Sequence, residues 1–84
     1  MSDKEIIQKI KNLVKPYVQR KEGLQDFNED TDFINDLKIN SANLVDVILD
    51  VEDEFDITID NESMNGMLLV GDAKKIVKNK LAEK

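Results

Sequence analysis

The 84-residue chain contains no cysteine and no histidine, which removes the side chains most often used as nucleophile and general base. Without histidine there is no ordinary general base to activate a hydroxyl. Without cysteine there is no thiolate, no disulfide framework and no zinc site of the usual Cys/His kind. Catalysis by the chain alone is therefore not expected. Ser41 is the residue whose setting still allows a chemical role. It stands with Asn40 where a helical pattern begins. A serine in the first turn of a helix lies among free backbone N–H groups at the positive end of the helix dipole, where a phosphodiester is stabilised. The same position suits an ordinary helix cap, worth about 1 kcal/mol, and the residues alone leave both readings open.

The elements that position Ser41 follow from apolar spacing and capping residues. Ser2 followed by Glu5 signals a first helix, whose stripe runs Ile6, Ile7, Ile10, Leu13, Val14, Tyr17 and Val18. Pro16 kinks this helix or ends it near residue 15. Gly23 marks entry into a long connection over residues 21–40, with Leu24, Phe27, Phe33, Ile34 and Leu37 as expected anchors. The second helix begins at Asn40 or Ser41 and runs to about Phe55, turning Leu44, Val47, Ile48, Val51 and Phe55 to the core. Asp46, Asp50 and Asp53 fall on the opposite side, with Ala42, Val45 and Leu49 beside them. Ile57-Thr58-Ile59 alternates like a strand but has no evident pairing partner, and reads as an extended connection. A short helix over Glu62–Met67 and a last helix capped by Asp72, with Ala73, Ile76, Val77 and Leu81 inward, complete the pattern. The expected fold is all-α: a small four-helix bundle of three main helices and one short one, forming a single domain over residues 1–84.

Charge is segregated. Residues 24–66 hold thirteen Asp/Glu and only Lys38, whereas residues 1–23 and 67–84 are net basic, within a net charge of −6. Such a block disfavours nucleic acid and favours proteins with basic docking patches. Asp46, Asp50 and Glu54 form like-charge i,i+4 pairs near the C-terminal half of the second helix, each costing roughly 0.2–0.5 kcal/mol and opposing the dipole. Local stability does not explain them; electrostatic docking does. Asp26, Asn28, Asp30 and Asp32 have the spacing of an EF-hand start, but Thr31 stands where glycine is needed and Leu37 where the closing glutamate belongs, so no metal site is expected. No run approaches the roughly 18 apolar residues of a membrane span, and the N-terminus lacks an apolar leader, so a cytoplasmic protein without membrane insertion is expected.

The stretch Phe33-Ile34-Asn35-Asp36-Leu37-Lys38-Ile39-Asn40-Ser41-Ala42, continued from Leu44 through Ile57, resembles acyl carrier proteins. In that family an acidic loop ending in Asp-Leu-Gly precedes an Asp-Ser-Leu motif, and the following helix closes with an acidic triplet and Phe. Here the loop reads DLKINSANL and the close reads EDEF, and Val70-Gly71-Asp72-Ala73 also looks like the family's last helix start. The resemblance implies that Ser41 accepts 4′-phosphopantetheine from coenzyme A through a separate magnesium-dependent transferase. The chain then carries acyl groups as thioesters for fatty acid, polyketide or lipid-modifying enzymes and is not itself an enzyme. It further implies a monomer whose partners, the transferase and acyl-processing enzymes with basic patches, meet Asn40, Ala42, Val45, Asp46, Leu49, Asp50, Asp53 and Glu54. An acyl chain would enter the bundle among Val51, Ile59, Met64, Met67 and Ala73. Asn40, Ala42 and Lys38 depart from the usual Asp, Leu and Gly, and Asp60 stands where Pro is common. These departures point to a specialised carrier, or alternatively to an unmodified interaction module of the same fold. An aminoacyl or peptidyl carrier fits the acidic helix less well.

Overall fold

In the computed structural model, which describes residues 2–83, the first helix α1 spans Asp3–Val14. Ser2 Oγ accepts the Glu5 N–H at 3.2 Å, and its hydroxyl donates to the Glu5 carboxylate at 3.2 Å, so the expected cap forms. Pro16, which cannot extend the hydrogen-bond ladder, stops the helix. The Tyr17 and Val18 N–H groups turn back to the Val14 carbonyl at 2.8 and 3.1 Å. Ile6, Ile10, Val14 and Val18 are buried, with Ile7, Leu13 and Tyr17 packed at the rim of the core.

The long connection contains one 3-10 turn, Lys21–Leu24. Phe33 and Leu37 are fully buried, while Leu24 and Phe27 lie half-buried against the core. Ile34, expected as an anchor, is exposed. The cause is the turn that Asp32 builds: its carboxylate accepts the N–H groups of Ile34 and Asn35 at 2.8 Å each, which swings Ile34 outward. Thr31 and Ile39 take the buried positions instead. Burial of the Thr31 hydroxyl is offset by the Asn28 N–H at 2.9 Å. Gly23 is required by contact, since a Cβ there would lie 2.7 Å from Leu37 Cδ2 and 2.8 Å from the Asp36 carbonyl oxygen.

The second helix, α2, spans Ser41–Phe55, as its sequence indicates. Val47, Ile48, Val51 and Phe55 are buried and Leu44 partly so. Asp56 closes it in the left-handed conformation at φ 53°, with its own N–H and that of Ile57 donating to the Glu52 carbonyl. Residues 57–60 join no helix or strand, Asp60 is extended, and the Ile59 N–H donates to the Glu52 carboxylate at 2.7 Å.

The short helix α3 covers Asn61–Asn65, capped by Asp60 and thus one residue earlier than the spacing suggested. Helix α4 spans Val70–Ala82. Asp72 is therefore not its cap but lies inside its first turn, where its carboxylate accepts the Leu69 N–H at 3.0 Å. The earlier start is possible because the Val70 N–H, otherwise unsatisfied at a helix start, donates to the Thr31 carbonyl at 2.9 Å. An isolated antiparallel bridge, Asp32 to Leu69, lies beside this bond and fastens the long connection to α4. Helix α1 packs against both α2 and α4. The fold is all-α, with no strand among the described residues, and no helix is long and apolar enough to cross a membrane.

Candidate functional site

The three serines occupy different settings. The Ser2 hydroxyl is engaged with Glu5, and both the N–H and the hydroxyl of Ser63 bond to the Asp60 carboxylate, which holds that carboxyl below the ordinary range. Ser41 is exposed and its hydroxyl has no hydrogen-bond partner among the described residues. It is not the cap: Asn40 takes that role, its Oδ1 accepting the Ala42 N–H at 2.9 Å. The capping load thus falls on the neighbour and leaves the serine oxygen open at the first position of a 15-residue helix.

Charge around this position differs from the rest of the acidic block. The first turns of α1, α3 and α4 contain Asp3 and Glu5, Glu62, and Asp72 respectively, whereas that of α2 has no acid. From Leu37 to Val45 the only charged side chain is Lys38, which is exposed and held at φ 56°. The positive pole of α2 is therefore uncompensated where the serine lies.

Along α2 the expected partner-facing residues separate into two groups. Ala42, Val45, Asp46, Leu49 and Asp53 are exposed, with Val45 at 46% and Leu49 at 51%. Asp46 and Asp53 make no ion pair or hydrogen bond among the described residues. Asp50 is half-buried and accepts a hydrogen bond from the Tyr17 hydroxyl at 2.9 Å, and Glu54 stands 3.8 Å from the Lys9 ammonium. Both contacts involve residues on or just beyond α1. Sequence spacing missed the Tyr17 contact because Tyr17 fits the α1 stripe; Pro16, by ending the helix, frees it to reach α2. Val51, Ile59, Met67 and Ala73 are buried in one core, and half-buried Met64 packs against it.

Residues 8–66 match the family model described as "Phosphopantetheine attachment site". The acyl carrier protein of Prochlorococcus marinus (strain MIT 9515) is 35% identical over 80 residues, covering 95% of this chain and 98% of its own length. That of Lactobacillus acidophilus (strain ATCC 700396 / NCK56 / N2 / NCFM) is 37% identical over 79 residues, covering 94% and 96%. The chain belongs to the acyl carrier protein family. Its cofactor is phosphopantetheine, and the start of α2 fits such a group: an open hydroxyl, first-turn N–H groups of Ser41 and Asn43 left over by the Asn40 cap, and no carboxylate to repel the phosphodiester.

Proposed function

We propose that Ser41 bears 4′-phosphopantetheine and that the chain presents acyl groups to successive enzymes. The observation that carries this is the contrast between the two serines of the matched span: the Ser41 hydroxyl is exposed and unbonded at a helix start without acids, whereas Ser63 is half-buried and bonded to Asp60. When bound, the arm supplies the terminal thiol on which acyl groups are held as thioesters. Ser41 contributes the accepting oxygen only, and the base that deprotonates it belongs to the transferase, since this chain has no histidine. The exposed acids and apolar side chains of α2 support docking to partners with basic patches, and a tether supplies the effective concentration that makes weak docking sufficient. The buried group Val51, Ile59, Met67 and Ala73, with the adaptable Met64 beside it, supports entry of an acyl chain between α2 and α3. A net charge of −6 supports a soluble monomer.

Incubation with coenzyme A, magnesium and a broad-specificity phosphopantetheinyl transferase tests the reading by intact mass. One phosphopantetheine is expected on the native chain and none on Ser41→Ala. An unmodified native chain, or modification at Ser2 or Ser63, would sink it and favour an unmodified interaction module.

A further inference from the structure

Five carboxylates lie on α2, at Asp46, Asp50, Glu52, Asp53 and Glu54, and they are not equivalent. With about 100° per residue, Asp50 and Glu54 are turned from Asp46 by about 40° and 80° toward one side, the side that meets α1. There each has a counterpart: the Tyr17 hydroxyl donates to Asp50 Oδ2 at 2.9 Å, and the Lys9 ammonium stands 3.8 Å from Glu54. Glu52 is used on its other flank by the Ile59 N–H. Asp46 and Asp53, on the open side with Ala42, Val45 and Leu49, are left.

Tyr17 is fixed in place by the chain around it. Its N–H closes α1 on the Val14 carbonyl, and two residues on, the Gln19 and Arg20 N–H groups both donate to the Leu37 carbonyl, at 3.1 and 3.2 Å. The phenol is therefore held from both ends of a short segment. A charge-assisted hydrogen bond from such a donor is stronger than a neutral one and draws the carboxylate into a half-buried seat at the α1–α2 seam.

We propose that Tyr17 is a positioning residue for partner docking. By seating Asp50 against α1, it confines the docking surface to the strip Ala42, Val45, Asp46, Leu49 and Asp53. Asp46 and Asp53 are seven residues apart, about 10 Å along the helix. The strip fits an enzyme surface that places two basic groups at that spacing on either side of an apolar contact for Leu49. The proposal rests on the carrier reading, and the test separates the two.

The measurement is equilibrium binding of the apo chain to a phosphopantetheinyl transferase, without coenzyme A, across a salt series. The chains are wild type, Tyr17→Phe, Asp50→Asn and the double variant, with melting curves to confirm folding. Tyr17→Phe should release Asp50 toward the open side, tightening binding about two- to fivefold at low salt, the scale of one added surface ion pair. It should also steepen the salt dependence, which a purely structural role of the phenol would not do. Adding Asp50→Asn should abolish that gain. Unchanged or weaker binding by Tyr17→Phe, or a gain that survives in the double variant, overturns the proposal. Asp50→Asn keeps an acceptor oxygen for the phenol, so a stable reference remains if Tyr17→Phe folds poorly; binding by it as salt-steep as that of wild type supports the proposal, and a loss of slope overturns it. Transfer to Ser41 in the presence of coenzyme A reports the carrier reading separately: no transfer overturns both, and normal transfer with a flat Tyr17→Phe response overturns only this one.

Discussion

The acidic block of the sequence divides into two regions that use their polar groups in opposite ways. In the long connection, acids and amides are spent on the backbone. Asp32 accepts from Ile34, Asn35 and the Asn35 side chain, Asp36 accepts the Asp32 N–H at 2.8 Å, and Asn28 Oδ1 accepts the Asp30 N–H at 2.7 Å. On α2 the ladder needs only the Asn40 side chain at its start, where Oδ1 accepts the Ala42 N–H, and Ser41, Asp46 and Asp53 have nothing to bond within the described residues. The first region is polar in order to be rigid; the second is regular, and its surplus polarity is available to other molecules. Negative charge in a sequence thus has no single meaning: its use depends on whether the local backbone needs acceptors.

The strongest way to break this contrast is to truncate one large side chain in each region. Phe33, completely buried, anchors the connection, and Phe33→Ala should cost about 3–5 kcal/mol. For a domain whose total stability is on the order of 5–15 kcal/mol, that is enough to unfold much of the population. Leu49→Ala, on the exposed strip of α2, should stay within about 0.5 kcal/mol. Thermal denaturation followed by circular dichroism measures both. Similar losses would mean that the strip is part of the frame.

The next contrast compares acids. Asp32→Ala should cost about 1–2 kcal/mol, comparable to loss of a helix cap, whereas Asp46→Ala or Asp53→Ala should be neutral or slightly stabilising because like-charge repulsion is relieved. The Asn35 N–H, then the Ile34 N–H, hold the Asp32 carboxyl below its ordinary value of 3.8. The Lys78 ammonium does the same for Asp3, and the Ser63 N–H for Asp60. A depressed folded value means that these groups contribute fully above 3.8 and lose their contribution as pH falls below it through the folded values. The native chain should therefore lose stability on that acid limb, and Asp32→Asn should make the loss shallower. An unaltered limb in Asp32→Asn would count against the bracing role.

Much of this architecture was legible in the sequence, and the failures have physical causes. Helix α2 came through with both its limits because its cap, its core stripe and its open face are all encoded locally. The start of α4 did not, because the Val70 N–H is satisfied by Thr31, about 40 residues away in sequence, which local capping rules do not see. Ile34 was misplaced for a related reason: hydrophobicity marks it for burial, but Asp32 sets the turn that faces it outward. At the candidate site, spacing gave the place of Ser41 at a helix start and the outward face of Asp46 and Asp53, while the roles assigned to them rest on the family resemblance. The seating of Asp50 could not be read from spacing, since it depends on where a phenol lands after a proline-ended helix.

A smaller effect is expected at Lys38, at the junction of the two regions. At φ 56° a residue with a Cβ is strained, and glycine is not. Lys38→Gly should gain about 0.5–1 kcal/mol after allowing for the greater freedom of glycine in the unfolded chain. For a chain of this size that corresponds to a rise of a few degrees in Tm. Asp56, also left-handed at φ 53°, differs in that it terminates α2. No gain at Lys38 would show that the long side chain is stabilised there and that the junction belongs to the braced region.

The smallest effect concerns Asp50, the acid of α2 that the Tyr17 phenol holds. Tyr17 is the only tyrosine of the chain, so its ionisation can be followed directly by phenolate absorbance. The hydrogen bond to the Asp50 carboxylate raises its pKa above the ordinary 10.0, with desolvation and the charges of Asp50 and Asp46 acting in the same direction. The sign follows from the neutral phenol being the form favoured by folding. Its contribution is complete below pH 10.0 and is lost as pH rises through the higher folded value, leaving neutral-pH stability untouched. Asp50→Asn keeps an acceptor but removes the adjacent charge, so the titration midpoint should fall back toward 10.0. A native midpoint already at the ordinary value would mean that the phenol does not hold Asp50. Asp50 would then join Asp46 and Asp53 on the open face, and the acids of α2 would form one continuous docking surface instead of two edges with different uses.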